Sequence, residues 1–168
     1  RDNISRTIHV NEYAEMVDLM QVRKLIEVDA ARLAAENATD EDIRRLEATL
    51  QLHHRYVEDN VDPVDPALDF HLAVTQASHN KFMAAVLSLL VFEEKQIEAT
   101  IEVLRTREMG SVYVVEHDDI MQAIRENNPQ RAESLMEARM QALLDEGEKK
   151  IEEFDENNED LPPWNRRN

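Results

Sequence analysis

Two histidines lie at the centres of apolar helix faces, where an imidazole side chain can bind or react in a protein interior. At about 100° per residue, His71 faces away from Asp69 and Gln76 in the segment 66–80. The face around His117 is formed by Tyr113, Val114, Ile120, Met121 and Ile124. A buried polar group needs a hydrogen-bond partner or a ligand. One such histidine is usually a hydrogen-bonded core residue, but two on separate helices indicate a site.

Two arginines occupy similar positions on other helices. Arg23 lies in the apolar stripe of the segment 11–38, and Arg139 lies in the apolar face of the last predicted helix. Burying a guanidinium group without compensation costs several kcal/mol. One interpretation is internal: Arg23 pairs with Glu27 one turn on or extends to the edge, and Glu116 is a second available acid. The other is an external anion, and a small carboxylate fits because arginine binds it with two parallel hydrogen bonds.

Neither catalysis nor a metal centre has a clear signature in these residues. Ser78 or Thr75 could serve as nucleophile with His71 or His117 as base, but the spacing shows no catalytic triad. His53 and His54 are adjacent, and adjacent residues diverge by about 100° on a helix, so we predict surface or rim positions for both. We therefore predict a binding domain without enzymatic activity. The predicted effector-binding residues are Arg23, His71, Thr75, His117 and Arg139.

Composition limits the possible partners. The chain has 168 residues, a formal net charge of −17 and no cysteine, which excludes disulfides and thiolate metal sites. Such an acidic chain repels phosphate backbones, so this piece alone is a poor nucleic-acid binder. No apolar run approaches the roughly 18 residues of a membrane span, and no signal peptide is visible. We predict a cytoplasmic domain with no membrane partner.

The elements that must position these residues are helices, because the whole chain contains only 2 glycines. Helices are predicted over 11–38, 40–59, 66–79, 80–107, 111–127 and 129–154. The start signals are a capping box from Thr39 to Asp42, an Asp65 N-cap followed by Pro66, and caps at Asn80 and Asn128. Residues 1–10 are predicted to be a linker, 11–154 a single helical domain and 155–168 a flexible tail.

Three motifs, in this order and at these intervals, resemble the FCD (FadR C-terminal) domain of GntR-type bacterial transcription regulators. The first runs from Arg23 through Glu27 to Thr39, the second is Phe70-His71-Leu72-Ala73-Val74 with Ala77-Ser78-His79-Asn80, and the third runs from Val115-Glu116-His117 to Ala132. Together they cover about 13–152.

The resemblance implies an all-α fold, an antiparallel bundle of six to seven helices with a central ligand pocket. It further implies a homodimer whose pocket takes a small organic acid. DNA would be bound only through an N-terminal winged helix–turn–helix, which is absent from this sequence. The start at Arg1 rather than at methionine suggests a fragment of a longer protein.

Many members of that family hold a divalent metal with one aspartate and three histidines. Of the matching positions, His71 and His117 are retained, whereas the aspartate position is Ala67 and the last histidine position is Arg139. Two imidazoles are fewer than the three or four ligands usual for zinc. We therefore expect that no Zn, Ni or Mn cofactor is required, and that the Arg139 guanidinium supplies the positive charge. The alternatives are a helical scaffold domain without a ligand and a small metal-dependent enzyme.

Overall fold

The computed structural model describes residues 2–61, 63–96 and 107–156, with side chains for 14–61, 63, 65–92, 116–149 and 151–152. These residues form six helices and no strand, which confirms the predicted all-α bundle. The helices are α1 (Asp2–Asn37), α2 (Asp40–Glu58), α3 (Val64–Ala77), α4 (Lys81–Gln96), α5 (Arg107–Arg125) and α6 (Pro129–Glu156).

Three of the predicted helix starts carry the expected caps. The Thr39 hydroxyl accepts a hydrogen bond from the Asp42 N–H, and the Asp42 carboxylate accepts one from the Thr39 N–H, which completes the capping box of α2. The Asn80 side chain accepts from the first turn of α4, and the Asn128 side chain accepts from the Arg131 N–H in α6.

The predicted start of α3 is wrong. Pro63 occupies the N-cap position, so Asp65 lies in the first turn instead of capping it. Pro66 is the third helical residue. The first four N–H groups of a helix have no acceptor within the helix, so a proline there costs no hydrogen bond. The Pro63 carbonyl accepts the Ala67 N–H at 3.0 Å, which closes the first turn.

The ends of other helices also differ from the prediction. α1 begins at Asp2 rather than at Asn11, and α5 begins at Arg107, before Gly110. The fourth helix is predicted to end at about 107, but Arg107 begins α5. Residues 97–106 and most of the predicted tail, 157–168, lie outside the described residues. A linker role for residues 1–10 stays a prediction.

The core lies between α1, α2, α3, α5 and α6, and α1 packs mainly along α6. Gly147 of α6 is buried against α1, where a Cβ atom would lie 2.8 Å from Val17 Cγ2. A second, smaller cluster of Leu68, Leu87 and Val91 joins α3 to α4. Within the described parts of the chain, no helix is long and apolar enough to cross a membrane.

A buried imidazole network as candidate functional site

Three histidine rings from three helices meet inside the bundle. His53 of α2, His71 of α3 and His117 of α5 are all at most 2% exposed. His117 Nδ1 lies 3.2 Å from His53 Nδ1, and His117 Nε2 lies 3.2 Å from His71 Nε2. The Phe70 ring stacks on His117 at 4.5 Å between centroids. The predicted inward orientation of His71 and His117 is therefore observed, and the two rings are in direct contact.

The surface or rim position predicted for His53 is wrong. Leu46, Leu50 and His53 follow one another at spacings of four and three residues along α2, so they share its buried face. This spacing could have predicted a buried His53. The 100° divergence of adjacent residues means that His53 and His54 point in different directions, but it does not place both on the surface. His54 is the outward one: it is partly exposed, and its Nε2 lies 3.1 Å from Asp118 Oδ1.

Glu27 of α1 joins this network to Arg23. The Arg23 Nε–H donates to Glu27 Oε1 at 2.6 Å, and the His71 Nδ1–H donates to Glu27 Oε2. Burial by itself raises the pKa of Glu27, but Arg23 and His71 outweigh it and lower the pKa to about 2. Arg23 is only 1% exposed, so it does not extend to the edge of the bundle. The internal pairing that the sequence left open for Arg23 is the one observed.

Burial lowers the pKa of all three imidazoles, which favours their neutral forms. It lowers the pKa of His53 to about 4, and His54, His71 and Arg139 add to the effect. It also lowers the pKa of His71, although Glu27 opposes this. Burial, together with His71 and Arg139, holds the pKa of His117 well below its usual range. The positive charge of Arg139 contributes to the lowered pKa of all three rings.

The remaining two predicted site residues are also buried. Arg139 of α6 is 3% exposed, and its Nε lies 3.3 Å from Oε2 of Glu116, whose side chain is 35% exposed. Thr75 of α3 is fully buried, and its hydroxyl donates to the His71 carbonyl one turn earlier at 3.0 Å. All five predicted residues are thus interior. Sequence reasoning missed His53 as a member of the network.

These residues do not fit the metal site that the family resemblance implies. The two family histidines, His71 and His117, face each other through Nε2 at 3.2 Å, but the two remaining ligand positions hold no suitable side chain. The aspartate position holds Ala67, and Asp69 is exposed. Among the residues whose side chains the structure describes, no group of three or more potential ligands is arranged to hold an ion. The buried positive charge of Arg139, at the position of the third family histidine, would also repel a metal ion.

A family model described as the FCD domain matches residues 18–142. The chain belongs to the FCD domain family. Its relatives include the HTH-type transcriptional repressor NanR of Klebsiella aerogenes, 29% identical over 127 residues, which are 73% of this chain and 47% of NanR. The HTH-type transcriptional regulator LutR of Bacillus subtilis is 28% identical over 134 residues, covering 78% of this chain and 61% of LutR.

A solved structure, Streptococcus agalactiae GntR, has the same fold, with a TM-score of 0.64 and 24% identity. The match covers 76% of this FCD chain and 57% of that protein. The FCD chain spans about half the length of NanR. The relatives are transcription regulators and not enzymes, which confirms the prediction that this domain is not an enzyme.

Proposed function

We propose that this FCD domain senses a small organic acid in its interior and controls DNA binding by an N-terminal domain attached to it. The family supports a role in transcription regulation. The ligand class is inferred from the buried residues.

Two buried guanidinium groups, together with three buried imidazoles, are the observation that carries the proposal. Arg23 and Arg139 are at most 3% exposed. Glu27 pairs with Arg23, and the partly exposed Glu116 lies 3.3 Å from Arg139. A guanidinium group has five N–H donors, so Arg139 can bind a ligand carboxylate in addition to Glu116. A small carboxylate fits such an interior because arginine binds it with two parallel hydrogen bonds.

Arg139 is the proposed anchor for the ligand carboxylate. Arg23 is already joined to Glu27, so it acts by fixing that carboxylate and, through it, the His71 ring. His117 and Thr75 are both fully buried, and we propose that they complete the binding region. Because α1, α2, α3, α5 and α6 all contribute to the network or its neighbours, a bound acid would favour one arrangement of these helices and shift the population toward it.

A thermal-shift screen tests this proposal directly. The domain is heated with lactate, pyruvate, citrate, glycolate and sugar acids, each with and without Zn, Ni or Mn. We expect at least one acid to raise the Tm without a metal. Arg139→Met keeps the apolar volume and should abolish that shift. Arg131→Met is the matched control, since Arg131 lies on the exposed face of the same helix.

Two results would contradict the proposal. If none of the acids raises the Tm, the result would favour a scaffold domain whose buried charges are paired within the protein. A Tm shift that persists in Arg139→Met would show that Arg139 does not bind the ligand carboxylate.

A further inference from the structure

We infer that Nε2 of His53 is a ligand-facing hydrogen-bond acceptor, and that the effector is a carboxylate bearing a neutral donor such as a hydroxyl group. This inference rests on the proposed function for the carboxylate and adds a second contact at a residue outside the family's metal positions.

The direction of the hydrogen bonds follows from Glu27. An ionised carboxylate can only accept, so His71 carries its proton on Nδ1 and leaves a lone pair on Nε2. His117 must then donate from Nε2 to His71, which leaves a lone pair on its own Nδ1. His53 must in turn donate from Nδ1 to His117. Each neutral imidazole has one donor and one acceptor. The last acceptor in the series is therefore Nε2 of His53.

That atom is where the network ends. His53 is fully buried, and its Nε2 has no hydrogen-bond partner among the residues that the structure describes. A buried acceptor left unsatisfied is costly, and such groups in native proteins usually mark a ligand or an ordered water. A donor on the effector would satisfy it.

The nearby charge selects the kind of donor. Arg139 is buried in the same bundle, and its positive charge adds to the lowering of the His53 pKa. A buried guanidinium group attracts a carboxylate and repels an ammonium group. A hydroxyl group donates without carrying charge. A hydroxy acid can therefore bind Arg139 through its carboxylate and His53 through its hydroxyl. The corresponding keto acid or unsubstituted acid offers only acceptors and leaves Nε2 unsatisfied.

The first test measures selectivity by calorimetry with matched pairs of acids: glycolate and acetate, lactate and pyruvate, malate and succinate. We expect the hydroxy acid of at least one pair to bind about tenfold more tightly, the value of one good hydrogen bond. His53→Leu should remove that preference while retaining carboxylate binding. His54→Leu, at the adjacent and partly exposed position, should keep it.

Equal affinities within every pair, or a preference that survives in His53→Leu, would overturn the role of His53 and leave the proposed function intact. If no carboxylate binds, the proposed function fails as well. Should His53→Leu not fold, imidazole ¹⁵N NMR of the unaltered domain decides. We expect an unprotonated Nε2 on His53 whose resonance moves when the hydroxy acid is added. A protonated Nε2, or no change on binding, would overturn the inference.

Discussion

His53 and His117 approach through their Nδ1 atoms at 3.2 Å, although 64 positions separate them in the chain. Two lone pairs at this distance would repel, so one of the nitrogens carries a proton. Glu27 determines which nitrogen carries the proton. Its carboxylate lies at the other end of the hydrogen-bonded series of histidines and can only accept hydrogen bonds. A single buried acid on α1 thus sets the hydrogen-bonding state of rings on α2, α3 and α5.

Replacing that acid should be strongly destabilising. Glu27→Gln leaves the Arg23 guanidinium buried without its carboxylate and replaces one of the two accepting oxygens, which serve Arg23 and His71, with an NH2 donor. We expect a loss of about 3–5 kcal/mol in the free energy of unfolding, measured with urea. Glu137→Gln is the control, because Glu137 is exposed and lies 3.4 Å from Lys24; it should cost no more than about 1 kcal/mol. Similar losses for the two variants would contradict the central place of Glu27.

Stability should fall as the pH drops from about 6.5 to about 4. The pKa of His53 is about 4 in the folded domain and 6.5 without burial, so the unfolded chain binds the proton first. The stabilisation is complete above pH 6.5 and decreases by about 1.4 kcal/mol per pH unit for each such histidine. His117, whose pKa is also lowered, adds to the loss. From about pH 4.5 downward Glu27 adds a further loss, because its pKa is 4.5 in the unfolded chain and about 2 in the folded domain.

Urea denaturation across this pH range is the measurement. His53→Leu should reduce the slope between pH 6.5 and pH 4, because one of the groups that take up a proton on unfolding is gone. His54→Leu should leave the slope close to that of the unaltered domain. A slope unaffected by His53→Leu would mean that His53 is not held neutral by burial.

The domain should bind no stoichiometric metal, and restoring the family pattern should create a site. The double variant Ala67→Asp, Arg139→His supplies the missing carboxylate and third family imidazole beside His71 and His117. We expect it to bind Zn²⁺ in calorimetry, with each single variant binding more weakly. Stoichiometric Zn, Ni or Mn in the purified unaltered domain, or a lower Tm after chelation, would contradict this.

We predict that two copies of this domain associate through an exposed apolar face of α4. Phe82, Val86, Leu89 and Phe92 are between 45% and 72% exposed. Lys81 is the only charged residue in 81–92, whereas the whole chain carries −17. Two copies of so acidic a chain repel least where the charge is lowest, and a second copy would cover these apolar side chains.

Phe82→Glu and Leu89→Glu should each shift the domain toward the monomer in analytical ultracentrifugation. Ser134→Glu adds the same charge on the exposed surface of α6 and should leave the dimer intact. Dimers that persist in both α4 variants would place the interface elsewhere.

Gly147 should be required for the close packing of α6 on α1. Alanine favours a helix by up to about 1 kcal/mol, but its Cβ would overlap Val17, which is fully buried. Overpacking of this kind typically costs about 1–3 kcal/mol, so we expect Gly147→Ala to lower the Tm. Adding Val17→Ala should recover part of the loss in a double-mutant cycle. Additive effects of the two changes would show that the side chains do not meet.

Much of the fold was readable from local sequence. The capping box at Thr39, the asparagine caps and the inward faces of His71 and His117 all depend on residues within one or two turns of each other. The start of α3 was misjudged because two prolines three residues apart each permit a helix start, and the Asp65-Pro66 pair matched the more common cap.

The contacts within the site could not be read in this way. A helical wheel gives the direction of His53 relative to Leu46 and Leu50, but it does not tell which helix lies opposite. The pairing of His53 with His117, and of Glu27 with His71, depends on how α1, α2, α3 and α5 pack. Side chains that are distant in sequence approach only in the folded bundle.

Because α1 is long, a small rotation of this helix near the network produces a large displacement at its N-terminal end. Arg23 and Glu27 lie in its second half, and the helix continues without interruption back to Asp2, 21 residues or about 32 Å before Arg23. If α1 rotates by about 5° about a point near Arg23, its first turn moves by roughly 3 Å. That is several times the displacement of the residues next to Arg23. Small adjustments among buried rings would therefore be magnified at the end where the proposed DNA-binding domain attaches.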